Sequence, residues 1–218
     1  MAIQYIEAKP SVNGNAAQYS RAADGEKFFT INGRVCNFQV KEFACHDGND
    51  YILIDRDLVE NLQKLRDEFG STTINSGYRD PAYNASVGGV SNSQHVYGKA
   101  SDTVCRNTLP LEVAMFAEAL GMGGIGLYST FTHVDTRANK SRWDSSSGGQ
   151  RGVSTFFRTI QVGSTGTYVR IAQRRLGVKD DGQFGNMTKE AAINFQKAHG
   201  LTPDGVIGPA TWKVLMLA

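Results

Sequence analysis

Residues 57–76 read DLVENLQKLRDEFGSTTINS, and this stretch sets the fold class. Leu58, Val59, Leu62, Leu65 and Phe69 share one face at helical spacing, which predicts a helix over 57–69. Asp57, with Glu60 three residues later, suits its start, and Gly70 suits its end. Thr72 to Ser76 then reads as a short strand. Working outward, Asp80-Pro81 opens another helix, because proline fits a first helical turn. Gly88-Gly89 through Gly98 is a polar loop. Residues 100–104 read as a strand and 111–120 as a helix that Gly121 stops. Residues 125–128 and 131–136 read as two strands joined by a tight turn. Helices and strands mix without a strict βαβ rhythm, so the expected class is α+β.

The chain has 218 residues, 40% apolar and 20% charged, which excludes disorder as the dominant state. A net charge of +2 excludes a broadly basic nucleic-acid binder. No apolar run approaches the ~18 residues that cross a membrane. The opening, Met1 to Pro10, contains Glu7 and no long apolar core, so it does not read as a secretory signal. The expectation is a monomer made in the cytoplasm that leaves by another route, or a secreted protein whose leader was removed. Cys36, Cys45 and Cys105 show no CxxC spacing, which argues against a thiolate zinc site. Three buried thiols, or one disulfide and one free thiol, fit the count.

Composition suggests four segments. Residues 1–27 are rich in Ala, Asn, Gln and Ser and read as an N-terminal arm, partly mobile or draped over the next domain. Residues 28–150 form the main domain, ending in the flexible run Ser145-Ser-Ser-Gly-Gly-Gln150. Residues 151–159 are a linker, and Val153 to Ile160 is apolar enough to be a strand or to dock on either neighbour. Residues 160–218 carry an internal repeat with an offset of 23: Gly177, Asp181-Gly182, Gly185 and Thr188 recur as Gly200, Asp204-Gly205, Gly208 and Thr211. Each Asp-Gly suits a tight turn, and three helices are expected near 167–176, 187–199 and 209–217. This tail has 7 basic and 4 acidic residues, a mild bias toward an anionic polymer.

Two of the four histidines have informative neighbours. His95 lies in Ser93-Gln-His-Val-Tyr-Gly98-Lys-Ala-Ser-Asp102, and His133 in Phe131-Thr-His-Val-Asp135. Two neutral imidazoles and a carboxylate make a frequent catalytic zinc set with a fourth position for water. Gly98 would let the loop fold back so that His95 and Asp102 converge. A histidine on a strand is otherwise a core or surface residue. His46 and His199 sit in no motif.

The ordered motifs resemble the zinc D-Ala-D-Ala carboxypeptidase and murein endopeptidase family, the M15-type peptidases, over residues 38–143. Ser93-x-His95-x-x-Gly98-x-Ala100-x-Asp102 and His133-Val-Asp135 carry the match. Glu42-Phe43-x-Cys45, Ser76-Gly-Tyr78-Arg79-Asp-Pro81, Gly124-Ile-Gly126-x-Tyr128 and Arg142-Trp143 support it. The resemblance implies a peptidase domain with a small antiparallel sheet flanked by helices, and Zn2+ held by His95, Asp102 and His133. It implies that Arg79 acts at the zinc cleft, on the oxyanion or on a substrate carboxylate. The tail is similar to the three-helix peptidoglycan-binding domain of wall hydrolases, which implies bacterial peptidoglycan as partner and an endolysin or autolysin role.

The chain departs from the family at the general base. Thr130 stands where many members have Glu, and Phe131 and Tyr128 stand where others have His. Asp135, two residues from His133, shares its face of the strand. It approaches the metal water, accepts the ring N–H of a zinc histidine, or makes a structural hydrogen bond. Tyr128 is a candidate oxyanion donor.

Overall fold

The computed structural model describes residues 2–218. It divides into two compact units. One takes the chain up to Ala117 with Met122–Val153, and the other takes Glu118–Gly121 with Ser154–Ala218.

The first unit is α+β. In chain order it contains β1 (Tyr5–Glu7), β2 (Ala17–Ser20), α1 (Arg21–Asp24), β3 (Phe28–Ile31), β4 (Arg34–Gln39) and a 3-10 turn at Val40–Phe43. There follow β5 (Tyr51–Ile54), α2 (Arg56–Phe69), β6 (Thr72–Ser76), α3 (Pro81–Ser86) and β7 (Ala100–Cys105). The unit closes with α4 (Pro110–Ala119), β8 (Gly124–Leu127), β9 (Thr132–Asp135), β10 (Ser141–Asp144) and β11 (Arg151–Gly152). Six strands form the main sheet in the order β11-β10-β8-β9-β7-β6. The expected small antiparallel sheet is thus larger and mixed, since β10 runs parallel to β8.

Helix α2 lays Leu58, Val59, Leu62 and Leu65 into a core with Phe29, Phe38, Phe43, Ile52 and Ile54, all essentially inaccessible. Each such side chain contributes roughly 1.5–3 kcal/mol of transfer free energy. The helix starts one residue earlier than its sequence suggests. Its cap is Asp55, whose carboxylate accepts from the Asp57 N–H at 3.3 Å. Asp55 also accepts from Ser11 at 3.0 Å and from the Thr136 hydroxyl, tying three distant segments together.

The opening residues are not a free arm. β1 pairs in parallel with β3, and β2 pairs with β5, so the segment completes two small sheets. Strands of three and four residues are too short to show period-two patterning in sequence. The Ser145–Gln150 run is the loop of the β10–β11 hairpin, and Asp144 pairs with Arg151 across it. Residues 151–159 are likewise not an open linker. Arg151 and Gly152 are strand, while Phe156 and Phe157 are buried in the second unit because apolar side chains leave water.

The second unit is helical: α5 (Thr167–Arg175), α6 (Asn186–Ala198) and α7 (Pro209–Leu217). Its core holds Ile171, Ala172, Ala192, Leu215 and Trp212, whose indole N–H donates to the Arg158 carbonyl at 2.7 Å. Two buried glutamines, again 23 residues apart, run the repeat. The Gln173 amide donates to Asp181, the Gln183 carbonyl and Thr188, and its oxygen accepts from Gly182 N–H. Gln196 does the same with Asp204, the Val206 carbonyl, Thr211 and Gly205 N–H. Buried amides need such saturation, which explains why the Asp-Gly and Thr positions recur together.

Candidate metal centre

One row across the main sheet carries the site. Trp143 on β10 pairs with Gly126 on β8, Gly126 with His133 on β9, His133 with Asp102 on β7, and Asp102 with Ser76 on β6. Side chains in such a row stand on one face. His95 joins them from the loop before β7. That loop turns at Gly98, in the left-handed region, where a Cβ would strike the Leu53 carbonyl. The Gly98 carbonyl accepts from Asp55 N–H at 2.8 Å, which anchors the loop to the head of α2.

His95, Asp102 and His133 meet as the sequence pattern expects. Asp102 Oδ1 lies 3.3 Å from His95 Nε2 and 2.9 Å from His133 Nδ1, and the two nitrogens are 3.2 Å apart. A tetrahedral ion with bonds of ~2.0–2.2 Å has ligand-to-ligand edges of ~3.3–3.6 Å. The triangle is slightly smaller than one face of a zinc tetrahedron, a size that small side-chain rotations would open to it, with the fourth vertex left for water or substrate. The opposite ring nitrogens are spoken for. His95 Nδ1 lies 2.7 Å from the Gly77 carbonyl, and His133 Nε2 lies 3.1 Å from Asp135 Oδ2. The Gly77 carbonyl and the Asp135 carboxylate hold protons on Nδ1 of His95 and Nε2 of His133, so Nε2 of His95 and Nδ1 of His133, on the Asp102 side, are the nitrogens that would give lone pairs to an ion. The donor set suits Zn2+.

Burial alone would raise Asp102, but bonds from His133 and His95 outweigh it and hold the carboxyl well below its usual range. Burial lowers His95, against the pull of Asp102. His133 is raised despite its burial, because Asp102 and Asp135 flank its ring.

Arg79 leaves the turn after β6 and binds the site directly. Its Nη2 lies 2.5 Å from Asp102 Oδ2, the oxygen turned away from the histidines, and its Nε donates to Ser76 Oγ at 2.7 Å. Asp135 sits behind His133, wholly buried, and is gripped by Arg137 through Nε at 2.8 and 2.9 Å and Nη2 at 2.5 Å. Of its expected places, it takes the one behind the ring of His133, not one on the Asp102 side. Bonds from His133 and Arg137 overcome the effect of burial and hold its carboxyl low.

The site opens on a cleft of about 500 Å³ lined by Gly88–Val90, Gln94, Tyr128, Phe131, Arg137 and Trp143 among others. Among the described residues, no carboxylate or imidazole lines it beyond the three that meet. Tyr128 is there, its ring stacked on Phe131 at 4.2 Å and its hydroxyl 3.2 Å from Trp143 Nε1. Sequence reasoning left Ser76, Arg137 and Trp143 without roles. Gly124-Ile-Gly126 was the available signal: a Cβ at 126 would overlap the Trp143 indole, and one at 124 the Asp135 carboxylate.

His46 and His199 stay outside the site. His199 Nδ1–H donates to the Phe195 carbonyl at 2.9 Å and its ring stacks on that of Phe195, and His46 tilts against Tyr83. A second cluster, Cys45, Asp47 and Asp80, is already satisfied by protein groups. The Asn49 amide bridges both carboxylates at 2.7 and 2.8 Å, and Asp80 caps α3 through Tyr83 N–H.

Residues 29–135 match the family model described as Peptidase M15. Residues 165–215 match the model described as "Putative peptidoglycan binding domain". Over 69 residues the chain is 42% identical to the zinc D-Ala-D-Ala carboxypeptidase of Streptomyces albus G, covering 28% of this chain and 27% of that protein. The chain thus spans about a quarter of that relative's length. A solved fused Zn-dependent amidase/peptidase/peptidoglycan-binding domain-containing protein from Clostridium acetobutylicum is 30% identical, covering 27% of this chain and 29% of that one, with a TM-score of 0.27. A peptidoglycan-binding protein from Clostridioides difficile, solved with glutamine hydroxamate, is 38% identical over 31% of this chain and 45% of that one, also at 0.27. Likenesses at that TM-score say nothing about the fold of the whole chain. The matched segment 29–135 contains all three meeting residues, Arg79, Tyr128 and Asp135.

Proposed function

We propose that the chain is a zinc-dependent peptidase that hydrolyses peptide bonds of bacterial peptidoglycan, with its tail as wall anchor. The observation that carries this reading is the His95–Asp102–His133 face, close to zinc-tetrahedron size, opening on a cleft beside an arginine. Zinc held there supplies a Lewis acid and a water acidified toward pKa ~7, so hydroxide is at hand at neutral pH. That chemistry suits a cleft whose lining offers no separate base.

The protein's own side chains do the rest. Asp135 and the Gly77 carbonyl fix the tautomers of the two histidines. Arg79 holds Asp102 through its outer oxygen and presents positive charge to the cleft, where the scissile carbonyl becomes an oxyanion. Tyr128 supplies a neutral donor to the same oxyanion. The bond cut is a terminal D-Ala-D-Ala or a cross-link of the stem peptides. The two-module plan and three unpaired, buried cysteines fit a protein made in a reducing compartment. We therefore favour a monomeric endolysin, held in the host cytoplasm until lysis, over a secreted autolysin.

The empty base positions favour one second reading, a wall-binding protein with a degenerate peptidase domain. Mass spectrometry of muropeptides digested with and without a zinc chelator separates the two. New amino termini that vanish with chelator support the peptidase. An unchanged digest in both arms overturns it.

A further inference from the structure

We propose that Trp143 is a positioning residue for Tyr128, fixing the tyrosine hydroxyl as a hydrogen-bond donor to the cleft. The inference rests on the peptidase reading above. An indole N–H only donates, so the 3.2 Å contact has one direction: Trp143 Nε1–H gives, and Tyr128 Oη accepts. A phenol has one proton of its own. Among the described residues none accepts that proton, and the ring lines the cleft. A hydroxyl whose oxygen is already engaged by a donor must turn its proton elsewhere, and the cleft is where an oxyanion would form.

The surroundings hold both rings in this relation. Tyr128 stacks on Phe131 with 11° between planes, which sets its tilt. Trp143 lies across Gly126, where any Cβ would collide with the indole. The indole reaches past that glycine to the His133 ring, 5.0 Å away, and the Arg137 guanidinium stands 5.7 Å from its centroid. One indole thus touches a metal-ligand ring on one side and directs a donor on another. A donor aligned before the reaction needs no reorganisation as charge develops.

The test is a double-mutant cycle on the zinc-loaded full chain, reading kcat, KM and zinc affinity on a purified muropeptide. Tyr128→Phe should lower kcat about 10²-fold with KM little changed, the typical loss for one oxyanion donor. Trp143→Phe should lower kcat by less, and should cost almost nothing further in the Tyr128→Phe background. Replacing Trp143 with β-(3-benzothienyl)alanine removes only the N–H and guards against a packing defect; it should reproduce the Trp143→Phe kcat. A second readout is independent of activity. The chain has two tryptophans, so the indole region of a ¹⁵N–¹H spectrum holds two peaks. Tyr128→Phe should move the Trp143 peak and leave that of Trp212 in place. Additive kcat losses, a loss confined to KM, or an unmoved Trp143 peak would overturn the inference while leaving the peptidase reading intact. A wild-type chain that cuts no muropeptide overturns both.

Discussion

The Asp135 carboxylate stands 3.1 Å behind Nε2 of His133, across the ring from Asp102. The imidazole is thereby held between two carboxylates, one facing the cleft and one wholly buried. Only the first is placed to share an ion with it.

Asp135→Asn should therefore weaken zinc binding without unfolding the domain. Partners behind a metal histidine typically contribute 10–100-fold in affinity, by fixing the tautomer and raising basicity. Chelator competition measures this directly. An affinity within twofold of wild type would mean that Asp135 serves only its bond to Arg137.

Two glycines on β8 make room for the site, and adding a methyl group to either should show it. Gly126→Ala forces Cβ into the Trp143 indole, and Gly124→Ala forces it into the Asp135 carboxylate. Overpacking of this kind typically costs 1–3 kcal/mol. Gly152→Ala meets nothing within 4 Å and is the control. Urea unfolding of the three variants tests the ranking; equal midpoints would show that the strand shifts freely to accommodate the methyl.

Spacing around a glycine turn and two strands made His95, Asp102 and His133 a candidate metal set, and the resemblance to the M15-type peptidases singled out those three and Arg79. Asp135 was half legible. Strand parity puts it on the His133 face, but nothing in a spacing of two says which ring nitrogen it meets. Trp143 was hidden because its contact with Tyr128 depends on β10 adding in parallel to β8, a pairing between segments that no local pattern announces. Gln173 and Gln196 escaped for another reason: the repeat was read from its turns, and a buried glutamine looks like a surface one until its partners are known. The opening segment and the Ser-Gly run misled through composition, since short paired strands and hairpin loops share the residue types of mobile chain.

The hairpin that replaced the expected flexible run carries a pH signature. Arg151, and then Ser146, hold the Asp144 carboxyl down to about 2. A depressed folded-state value contributes stability that is present above the unfolded value near 3.9 and is lost as pH falls through about 2. Arg151 is largely exposed, so solvent screens the pair and the effect is small. Asp144→Asn should flatten the stability curve between about pH 4 and pH 2. Parallel curves for the two proteins in that window would remove Asp144 from the acid response.

Deleting residues 154–218, the whole C-terminal part of the second unit, should spare hydrolysis of a small soluble peptide and weaken lysis of intact sacculi. A tether raises the local concentration of the catalytic domain on its polymer without adding a catalytic contact. Dilute enzyme is the sensitive condition, and circular dichroism checks that the remaining chain is folded. Equal lysis by both forms at low concentration would make the tail a spacer.

On the proposed function Arg79 serves both metal and substrate, so its variant should fail in two separable ways. Through Nη2 it fixes the outer oxygen of Asp102, and through Nε it is braced by Ser76. It also lines the cleft, and its remaining terminal nitrogen has no partner among the described residues. Arg79→Ala should thus lower zinc affinity about tenfold, the low end for an outer partner of a ligand. Saturating zinc should repair that loss, yet kcat should stay about 10²-fold down, because the charge facing the developing oxyanion is gone. Arg79→Lys should recover only part: an ammonium supplies charge, but not a fork that holds Ser76 and Asp102 while turning a third nitrogen to the cleft. The decisive pair is kcat and KM at saturating zinc. Full recovery of kcat would reduce Arg79 to an anchor for Asp102. A raised KM with unchanged kcat would instead mean that it binds a substrate carboxylate equally in ground and transition states, which is what a carboxypeptidase acting on a free terminus requires.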